Sequence, residues 1–206
     1  YTDGMAQYMM AVGRAVAVIN LDPANDSVPY QGCMRVDLKE LVSLSSVMES
    51  MNLGPNGGLV YCMEYLEANF DWLQAKLDGL RDHYLIFDLP GQVELFTHCS
   101  SVLSIVQRLT KLEYRFTIVN MIDAHHCSDA SKFIAATLLS LTVMVKLELP
   151  HVNVLSKVDM MEQYGHLPFN LEFFTEVQDM HRLLGYIDND PRDTEPLYDQ
   201  DEDEGE

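Results

Sequence analysis

The sequence predicts an α/β fold in which a doubly wound, mostly parallel sheet carries helices on both faces. Short runs of β-branched and other apolar residues recur along the chain, and stretches with the apolar spacing of amphipathic helices lie between them. Continuous apolar strands are typical of parallel sheets that helices cover on both sides. The alternation of strand and helix therefore favours a doubly wound fold over a bundle or a sandwich.

The predicted elements alternate in chain order. Strands are predicted at residues 15–20, 84–87, 116–122 and 152–155. Helices are predicted at residues 3–13, 37–51, 61–80, 94–112, 131–146 and 170–184, with Asp37 as the N-cap of the second helix. The globular pattern stops at about Asp188, so we expect one partial domain over residues 1–187 and a disordered acidic tail over 188–206.

Composition and charge narrow the class of protein. Hydrophobic residues make up 48% of the 206 residues, which is typical of a globular core. The net charge is -19, and the tail alone carries ten acidic residues against one basic residue. Because Lys and Arg supply the attraction to a nucleic-acid backbone, we expect no direct binding of nucleic acid. The tail is interpreted as solvated, and contact with basic partners is the alternative.

Cysteine usage and hydropathy indicate an intracellular protein. The four cysteines are scattered and form no Cys-x-x-Cys pair, which disfavours a disulfide framework or a zinc finger. No apolar run reaches the roughly 18 residues that a membrane span needs, and no basic-then-apolar segment opens the chain. We therefore expect a cytoplasmic protein without membrane association. Because the first residue is Tyr1, we also expect the sequence to be a fragment or a processed product.

The first candidate motif, Asp88-Leu89-Pro90-Gly91-Gln92, follows the second predicted strand. Asp88 can hold Mg²⁺ through water, because this hard cation prefers oxygen ligands and keeps much of its hydration shell. Gly91 permits close backbone approach, so its N–H can reach a terminal phosphate. Gln92 can orient an attacking water. The alternative is a strand end followed by a proline–glycine turn.

The second candidate motif, Leu155-Ser156-Lys157-Val158-Asp159, follows the last predicted strand and fits a loop that reads guanine. The Asp159 carboxylate can accept hydrogen bonds from N1–H and from the exocyclic amine of guanine, a combination that adenine does not match. The stem of Lys157 can pack along the purine face. Taken alone, this pattern is common and also occurs without any base-reading role.

A third motif, Leu21-Asp22-Pro23, follows the first predicted strand. An aspartate at this place can hold the water shell of a metal ion or the attacking water, a positioning role that phosphoryl transfer needs. The alternative is that Asp22 and Pro23 simply end the strand, since proline biases its neighbour and removes a donor.

The fourth motif, Gly54-Pro55-Asn56, is predicted to be a rigid turn between two helices, followed by Gly57 and Gly58. Such a turn can present the Asn56 amide at a fixed position. The alternative is a helix C-cap followed by an ordinary turn.

Taken together and in this order, the four motifs resemble the GPN-loop GTPases, a family of P-loop GTPases with an inserted Gly-Pro-Asn loop. Segments 16–25, 53–67, 88–94 and 149–159 carry the resemblance, which covers roughly residues 1–187. The resemblance implies a P-loop NTPase type of fold. It also implies an enzyme that binds GTP and GDP with Mg²⁺, hydrolyses GTP and works as a dimer.

The resemblance assigns phosphate-side roles to residues of three motifs. Asp88 would belong to the magnesium-side motif, Gly91 would lie near the terminal phosphate, and Asp22 would lie near the metal and its waters. The residue that positions the attacking water stays open between Gln92, Glu94 and Asp22.

The remaining motifs receive base-reading and dimer roles. Lys157 and Asp159 would read guanine, with Ser156 in the same motif. In this family the Gly-Pro-Asn loop projects across a dimer interface, so Asn56 would complete the site of the partner. The implied partners are a second copy or a paralogous GPN-loop GTPase, together with subunits and assembly factors of RNA polymerases II and III. Members of the family assist assembly and nuclear delivery of these polymerases, so shuttling to the nucleus is implied as well.

The sequence also departs from the family pattern. The glycine-rich loop of the family, which ends in Gly-Lys-Ser/Thr, is expected just before Tyr1 and is not among the 206 residues, nor is the first strand. Residues 191–206 match nothing in the pattern. Two functions therefore stay open, a GTP-hydrolysing enzyme and a nucleotide-incompetent interaction module. A related ATPase or kinase would need a different base-reading loop.

Overall fold

A computed structural model describes residues 1–25, 27–164, 169–177 and 180–187. The chain divides into two compact units, Tyr1–Arg115 and Phe116–Glu206, and each is described by itself below. The predicted tail at 188–206 lies outside the described residues. The boundary predicted at residue 187 therefore stays a prediction.

The first unit is built on a three-stranded parallel sheet with strand order β2-β1-β3. The strands are β1 (Val16–Asn20), β2 (Met34–Asp37) and β3 (Tyr84–Asp88). Every residue of β1 is buried, as expected for the central strand of a covered parallel sheet. In the ladder Asn20 lies opposite Asp37 on one side and Asp88 on the other, so polar residues end all three strands at one edge.

Helices of the first unit follow the apolar spacing of the sequence. They are α1 (Thr2–Ala11), α2 (Leu44–Met51), α3 (Pro55–Ala68), α4 (Phe70–Asp78), α5 (Glu94–Thr97) and α6 (Ser101–Lys111), with a 3₁₀ helix at Leu38–Glu40. Fully buried leucines of the longer helices form much of the packing, among them Leu66, Leu73 and Leu109. Removing such side chains from water is the main favourable contribution to folding.

The predicted helix at 37–51 is wrong in its first half. Asp37 ends strand β2, and its side chain accepts hydrogen bonds from the N–H of Lys39 and from Nδ2 of Asn20, both at 3.1 Å. These bonds hold Asp37 at the sheet, so only a short 3₁₀ turn follows and α2 begins at Leu44. Strand β2 itself was not predicted, because Val36 is its one buried residue and no apolar run marks it.

The predicted helix at 61–80 is two helices. The backbone of Asn69 leaves helical geometry (φ −107°, ψ 37°), and its Nδ2 donates to the carbonyl of Tyr65 at 2.8 Å. An asparagine side chain that bonds the backbone in this way competes with the helix ladder. Similarly, the predicted helix at 94–112 is interrupted between α5 and α6.

The second unit contains a parallel pair of strands and a long helix. The strands β4 (Ile118–Asp123) and β5 (His151–Ser156) pair over six positions. The helices are α7 (Ala130–Leu147), α8 (Leu171–Glu176) and α9 (Leu184–Ile187), with 3₁₀ helices at Ala124–Ser128, Val158–Tyr164 and Met180–Leu183. The core contains Cys127, Phe133, Phe174 and Leu183. The helix predicted at 131–146 is confirmed, whereas the one predicted at 170–184 is not continuous.

Helix α7 meets the length and hydropathy criteria of a membrane span, with a mean hydropathy of 1.5 over 18 residues. This helix is an exception to the expectation that no segment is long and apolar enough to span a membrane. Thr137, Ser140 and Thr142 interrupt its apolar residues without lowering the mean hydropathy below that criterion. A mostly buried core helix satisfies the same two criteria, but only 28% of α7 is buried in the protein, with Phe133 and Leu147 among the buried residues. Length and hydropathy alone are therefore weak evidence that α7 spans a membrane.

Candidate functional site

The carboxyl edge of the first sheet brings Asp22 and Asp88 together. The N–H of Leu21 donates to the carbonyl of Asp88 at 2.8 Å, so the chain leaves β1 alongside the end of β3. Burial raises the pKa of Asp22 above its ordinary value, and the charge of Asp88 raises it further against the opposing effects of the Ala24 N–H and of Lys39. Asp22 and Asp88 therefore lie close to each other, as the sequence predicts.

Two side chains distant in sequence hold Asp88. The hydroxyl of Thr2, at the start of α1, donates to Oδ1 at 3.1 Å, and the hydroxyl of Tyr30 donates to Oδ2. Tyr30 is only 4% exposed, and burial raises its pKa well above the ordinary tyrosine value, with the hydrogen bond to Asp88 as the second cause. Both oxygens of Asp88 thus have a donor from the protein.

A buried amide connects the strand ends. Asn20 is fully buried; its Nδ2 donates to Asp37 at 3.1 Å and its Oδ1 accepts from the N–H of Asp22 at 3.3 Å. Burying a polar side chain costs free energy unless it is hydrogen-bonded, and here both ends of the amide are used. Asn20 therefore fixes the position from which Asp22 projects.

The donor set at this edge fits Mg²⁺ held through water. Asp22 and Asp88 offer hard carboxylate oxygens, the ligand type that this ion prefers. No cluster of three or more His, Cys, Asp or Glu side chains suited to direct metal ligation occurs in the part of the chain that the structure describes. Since each Asp88 oxygen already accepts a hydrogen bond, contact through the hydration shell of the ion suits this residue better than direct ligation.

The segment after Asp88 is partly as predicted. A Cβ at Gly91 would meet no atom within 4 Å, so packing in the described residues does not require glycine there. Close approach of a ligand remains the predicted reason for it. The Oε1 of Gln92 is buried and has no hydrogen-bond partner in the described residues, so it can still accept a hydrogen bond. Glu94 begins α5 and is exposed.

The Gly-Pro-Asn motif is the start of a helix, and the predicted turn between two helices is wrong for these residues. Gly54 is the N-cap of α3, Pro55 occupies its first position, and Asn56 follows in the first turn. Proline is favoured there because its fixed φ suits a helix and its missing N–H is not needed. The turn comes earlier, at Asn52, where a left-handed backbone (φ 53°) ends α2. Gly54, Pro55 and Asn56 are all exposed.

Close packing holds this helix start in place. A Cβ at Gly58 would lie 2.8 Å from Cδ1 of Leu44 and 3.1 Å from Cγ of Met48, which is nearer than side chains ordinarily approach. Gly58 therefore permits α3 to lie against α2 directly behind the exposed Gly-Pro-Asn residues. The position of Asn56 is fixed by helix packing, although not by the turn that the sequence suggested.

The motif predicted to read guanine lies at the end of β5 in the second unit. The hydroxyl of Ser156 donates to the carbonyl of Ile122 at 3.0 Å. Lys157 has a left-handed backbone (φ 57°), and its Nζ lies 2.7 Å from Oδ2 of Asp123. Asp159 is exposed in the 3₁₀ helix that follows. All three predicted residues of this motif thus belong to one short segment.

Sequence reasoning missed Asp123, Tyr30 and Thr2. The hydrogen bond from Lys157 is the main cause that lowers the pKa of Asp123, and the N–H of His125 lowers it further. A signal for Asp123 was present, since it directly follows a predicted strand as Asp88 does. Thr2 and Tyr30 meet Asp88 across 86 and 58 residues, and no local pattern indicates such contacts.

Comparison with known proteins gives consistent results. The model of a family described as "Conserved hypothetical ATP binding protein" matches residues 1–200. The chain is 52% identical over 191 residues to GPN-loop GTPase 2 of Danio rerio, covering 93% of this chain and 61% of that protein. It is 48% identical over 192 residues to the GPN-loop GTPase 2 homolog of Dictyostelium discoideum, covering 93% of this chain and 60% of that protein.

A solved structure supports the fold. The crystal structure of a GTPase in apo form from Pyrococcus abyssi matches 92% of this chain and 73% of its own, with a TM-score of 0.69 and 22% identity. This match confirms the predicted α/β fold class. The chain spans about 60% of the length of the two relatives named above. It belongs to the family described as conserved hypothetical ATP-binding proteins, and its predicted resemblance to the GPN-loop GTPases is confirmed.

Proposed function

We propose that this chain belongs to a GTP-hydrolysing switch that binds GTP and GDP with Mg²⁺ and works as a dimer. The observation that carries the proposal is the adjacent placement of Asp22 and Asp88 at the carboxyl ends of β1 and β3. Ligands of open α/β sheets bind beyond the carboxyl ends of the strands. The names of the relatives, which are GPN-loop GTPases, support the same activity.

In this proposal the residues of the first unit act on the phosphates and on water. Mg²⁺, when bound, neutralises charge on the phosphate oxygens, and Asp88 and Asp22 would hold it through its waters. The N–H of Gly91 would donate to the terminal phosphate. Gln92 is the first choice for orienting the attacking water because its buried Oε1 has unused acceptor capacity in the described residues. Glu94 and Asp22 are the alternatives.

The second unit supplies the base-reading loop of the proposal. The family description names ATP, whereas the names of the relatives name GTP. Ser156-Lys157-Val158-Asp159 favours guanine, because the Asp159 carboxylate accepts from two neighbouring donors of that base. Asp159→Asn should therefore move the preference from GTP to xanthosine triphosphate by about 100-fold or more, since an amide reverses one donor–acceptor pair. Unchanged base preference in competition binding contradicts the assignment.

The phosphate loop decides between the proposed enzyme and a nucleotide-incompetent interaction module. Residues 1–206 contain no G-x-x-x-x-G-K-[ST] motif, whose backbone and lysine would cradle the phosphates. We therefore expect residues 1–206 alone to bind a fluorescent GTP analogue poorly. A protein that also carries the phosphate loop should bind it with Mg²⁺ dependence. Micromolar, Mg²⁺-dependent binding by residues 1–206 alone would defeat this expectation, and failure of the longer protein would favour the interaction module.

The exposed start of α3 is proposed to act in the site of a second subunit. Gly54, Pro55 and Asn56 face solvent in the structure of one chain, and the packing at Gly58 keeps them in place. In the full-length dimer, Asn56→Ala should lower kcat about tenfold or more and leave nucleotide affinity nearly unchanged. Asn52→Gly is the matched control, because it removes a nearby exposed amide and keeps the left-handed backbone possible. Equal loss of kcat and affinity counts against the role.

The cellular role is proposed on the family resemblance. The protein would act with a second copy or a paralogous GPN-loop GTPase on subunits and assembly factors of RNA polymerases II and III. It would work in the cytoplasm, shuttle to the nucleus and bind neither membrane nor nucleic acid directly. Depleting the protein and imaging the largest polymerase II subunit tests this role, since cytoplasmic accumulation is expected and unchanged nuclear staining contradicts it.

A further inference from the structure

The ends of β4 and β5 fix where the base-reading loop begins. Asp123 and Ser156 are the last residue pair of the parallel ladder, and the Ser156 hydroxyl donates to the carbonyl of Ile122 at 3.0 Å. The loop therefore leaves the sheet directly beside Asp123. None of these residues except Ser156 belongs to the motif that the sequence singled out.

Asp123 divides its two oxygens between backbone and lysine. Its Oδ1 accepts from the N–H of His125 at 2.9 Å, which fixes the carboxylate at the start of the 3₁₀ helix Ala124–Ser128. Its Oδ2 lies 2.7 Å from Nζ of Lys157. A carboxylate already anchored through one oxygen presents the other in a defined direction.

The backbone of Lys157 is also constrained. Its φ of 57° is left-handed, a conformation that a lysine rarely adopts, and its carbonyl accepts from the N–H of Met160 at 3.0 Å. A lysine stem has several rotatable bonds, and holding it still costs conformational entropy. Contacts at both ends, the turn at the backbone and Asp123 at Nζ, remove much of this freedom before any ligand arrives.

We infer that Asp123 is a positioning residue that holds the Lys157 stem in the place where it would cover the purine face. The inference rests on the proposed function, because it requires the loop to bind a nucleotide. Asp123 would act through Lys157 and would not touch the base. The stem covers the face of any purine, so Asp123 sets affinity for purine nucleotides in general and leaves the choice of base to Asp159.

The test uses a longer protein that carries the phosphate loop of the proposed function, with fluorescent GDP as the probe. Asp123→Asn keeps the shape of the side chain and the acceptor for the His125 N–H but removes the charge that Lys157 pairs with. Because the pair is partly exposed, we expect a loss of affinity of about three- to fivefold at low salt. The loss should shrink at 1 M salt, where such pairs are screened.

A double-mutant cycle separates positioning from a structural role. In a Lys157→Ala background, Asp123→Asn should change affinity by less than about 1.5-fold, because its partner is gone. The matched control is Asp129→Asn, which also caps a helix in this unit and has nearly the same exposure, 31% against 30% for Asp123. This control should leave affinity unchanged.

The outcomes distinguish this inference from the proposed function. Equal losses for guanosine, inosine and xanthosine diphosphates support the inference, and so does absence of the loss in the Lys157→Ala background. A loss that persists in that background, or no loss at all, overturns it. If Asp159→Asn leaves base preference unchanged, the base-reading assignment in the proposed function fails, and the inference fails with it.

Discussion

The hydrogen bond from Tyr30 to Asp88 can be tested in the ligand-free protein. Tyr30→Phe removes the hydroxyl and leaves the buried ring in place, so the change is confined to the donor. A hydrogen bond to a charged group contributes about 1.5–3 kcal/mol to stability. Asp88 keeps the bond from Thr2 and is partly exposed to water, so we expect a loss near the lower limit, about 1.5 kcal/mol at pH 8.

The pH dependence of this loss follows from the raised pKa of Tyr30. The ordinary tyrosine value is 10.0, and burial together with Asp88 raises the folded-state pKa above it. Below pH 10 both folded and unfolded states keep the proton, and the stabilisation is fully present. Above pH 10 the unfolded state ionises first, so the contribution of Tyr30 falls by about 1.4 kcal/mol per pH unit until the folded pKa is reached. The difference between wild type and Tyr30→Phe should therefore nearly vanish at pH 11.

Urea unfolding followed by tryptophan fluorescence measures this difference. Trp72 is the single tryptophan of the sequence and lies in α4, in the same unit as Tyr30. Tyr8→Phe is the control, because Tyr8 is 61% exposed and its replacement should be nearly neutral at both pH values. A stability difference that stays constant from pH 8 to pH 11, or no difference at pH 8, would refute the assignment of Tyr30 as the donor that holds Asp88.

Two further predictions concern packing and thiol reactivity. Gly58→Val should destabilise the first unit by about 1–3 kcal/mol in urea unfolding, because the valine side chain would enter the space of Leu44. If the variant is as stable as the wild type, α2 and α3 are not in close contact. At pH 8 Cys99 should react with a thiol reagent before Cys62 and Cys127, since burial raises the pKa of Cys62 and of Cys127 to about 11 and both are fully buried. Fast modification of either buried cysteine, located by peptide mass spectrometry, contradicts this order.

Much of the fold could be predicted, because burial leaves a local signal in the sequence. The four strands with continuous apolar runs are present as predicted, and the parallel arrangement predicts Asp22 and Asp88 at one edge of the sheet. Strand β2 carries no such run, so it was missed. The long predicted helix at 61–80 failed at Asn69, where one side-chain hydrogen bond to the backbone outweighs helical spacing.

The candidate site was less predictable where its residues act on one another. The start of α3 could have been placed correctly, since a proline after a glycine is typical of a first helical turn. The hydrogen bonds of Tyr30 and Thr2 to Asp88 could not, because they depend on tertiary packing across long stretches of chain. Asp123 could be predicted only in part. Its place after a strand was visible, but its pairing with Lys157 is a tertiary contact across 34 residues that no local pattern indicates.

The bond between Thr2 and Asp88 has a thermodynamic consequence for α1. Thr2 opens that helix, so the orientation of the Asp88 carboxylate and the order of the first helical turn depend on each other. Linkage requires the dependence to be reciprocal. A cation that favours the present orientation of Asp88 must also protect the first hydrogen-bonded amide of α1, that of Met5, from hydrogen exchange. A ligand that orders the start of α1 must in turn raise the affinity of Asp88 for that cation.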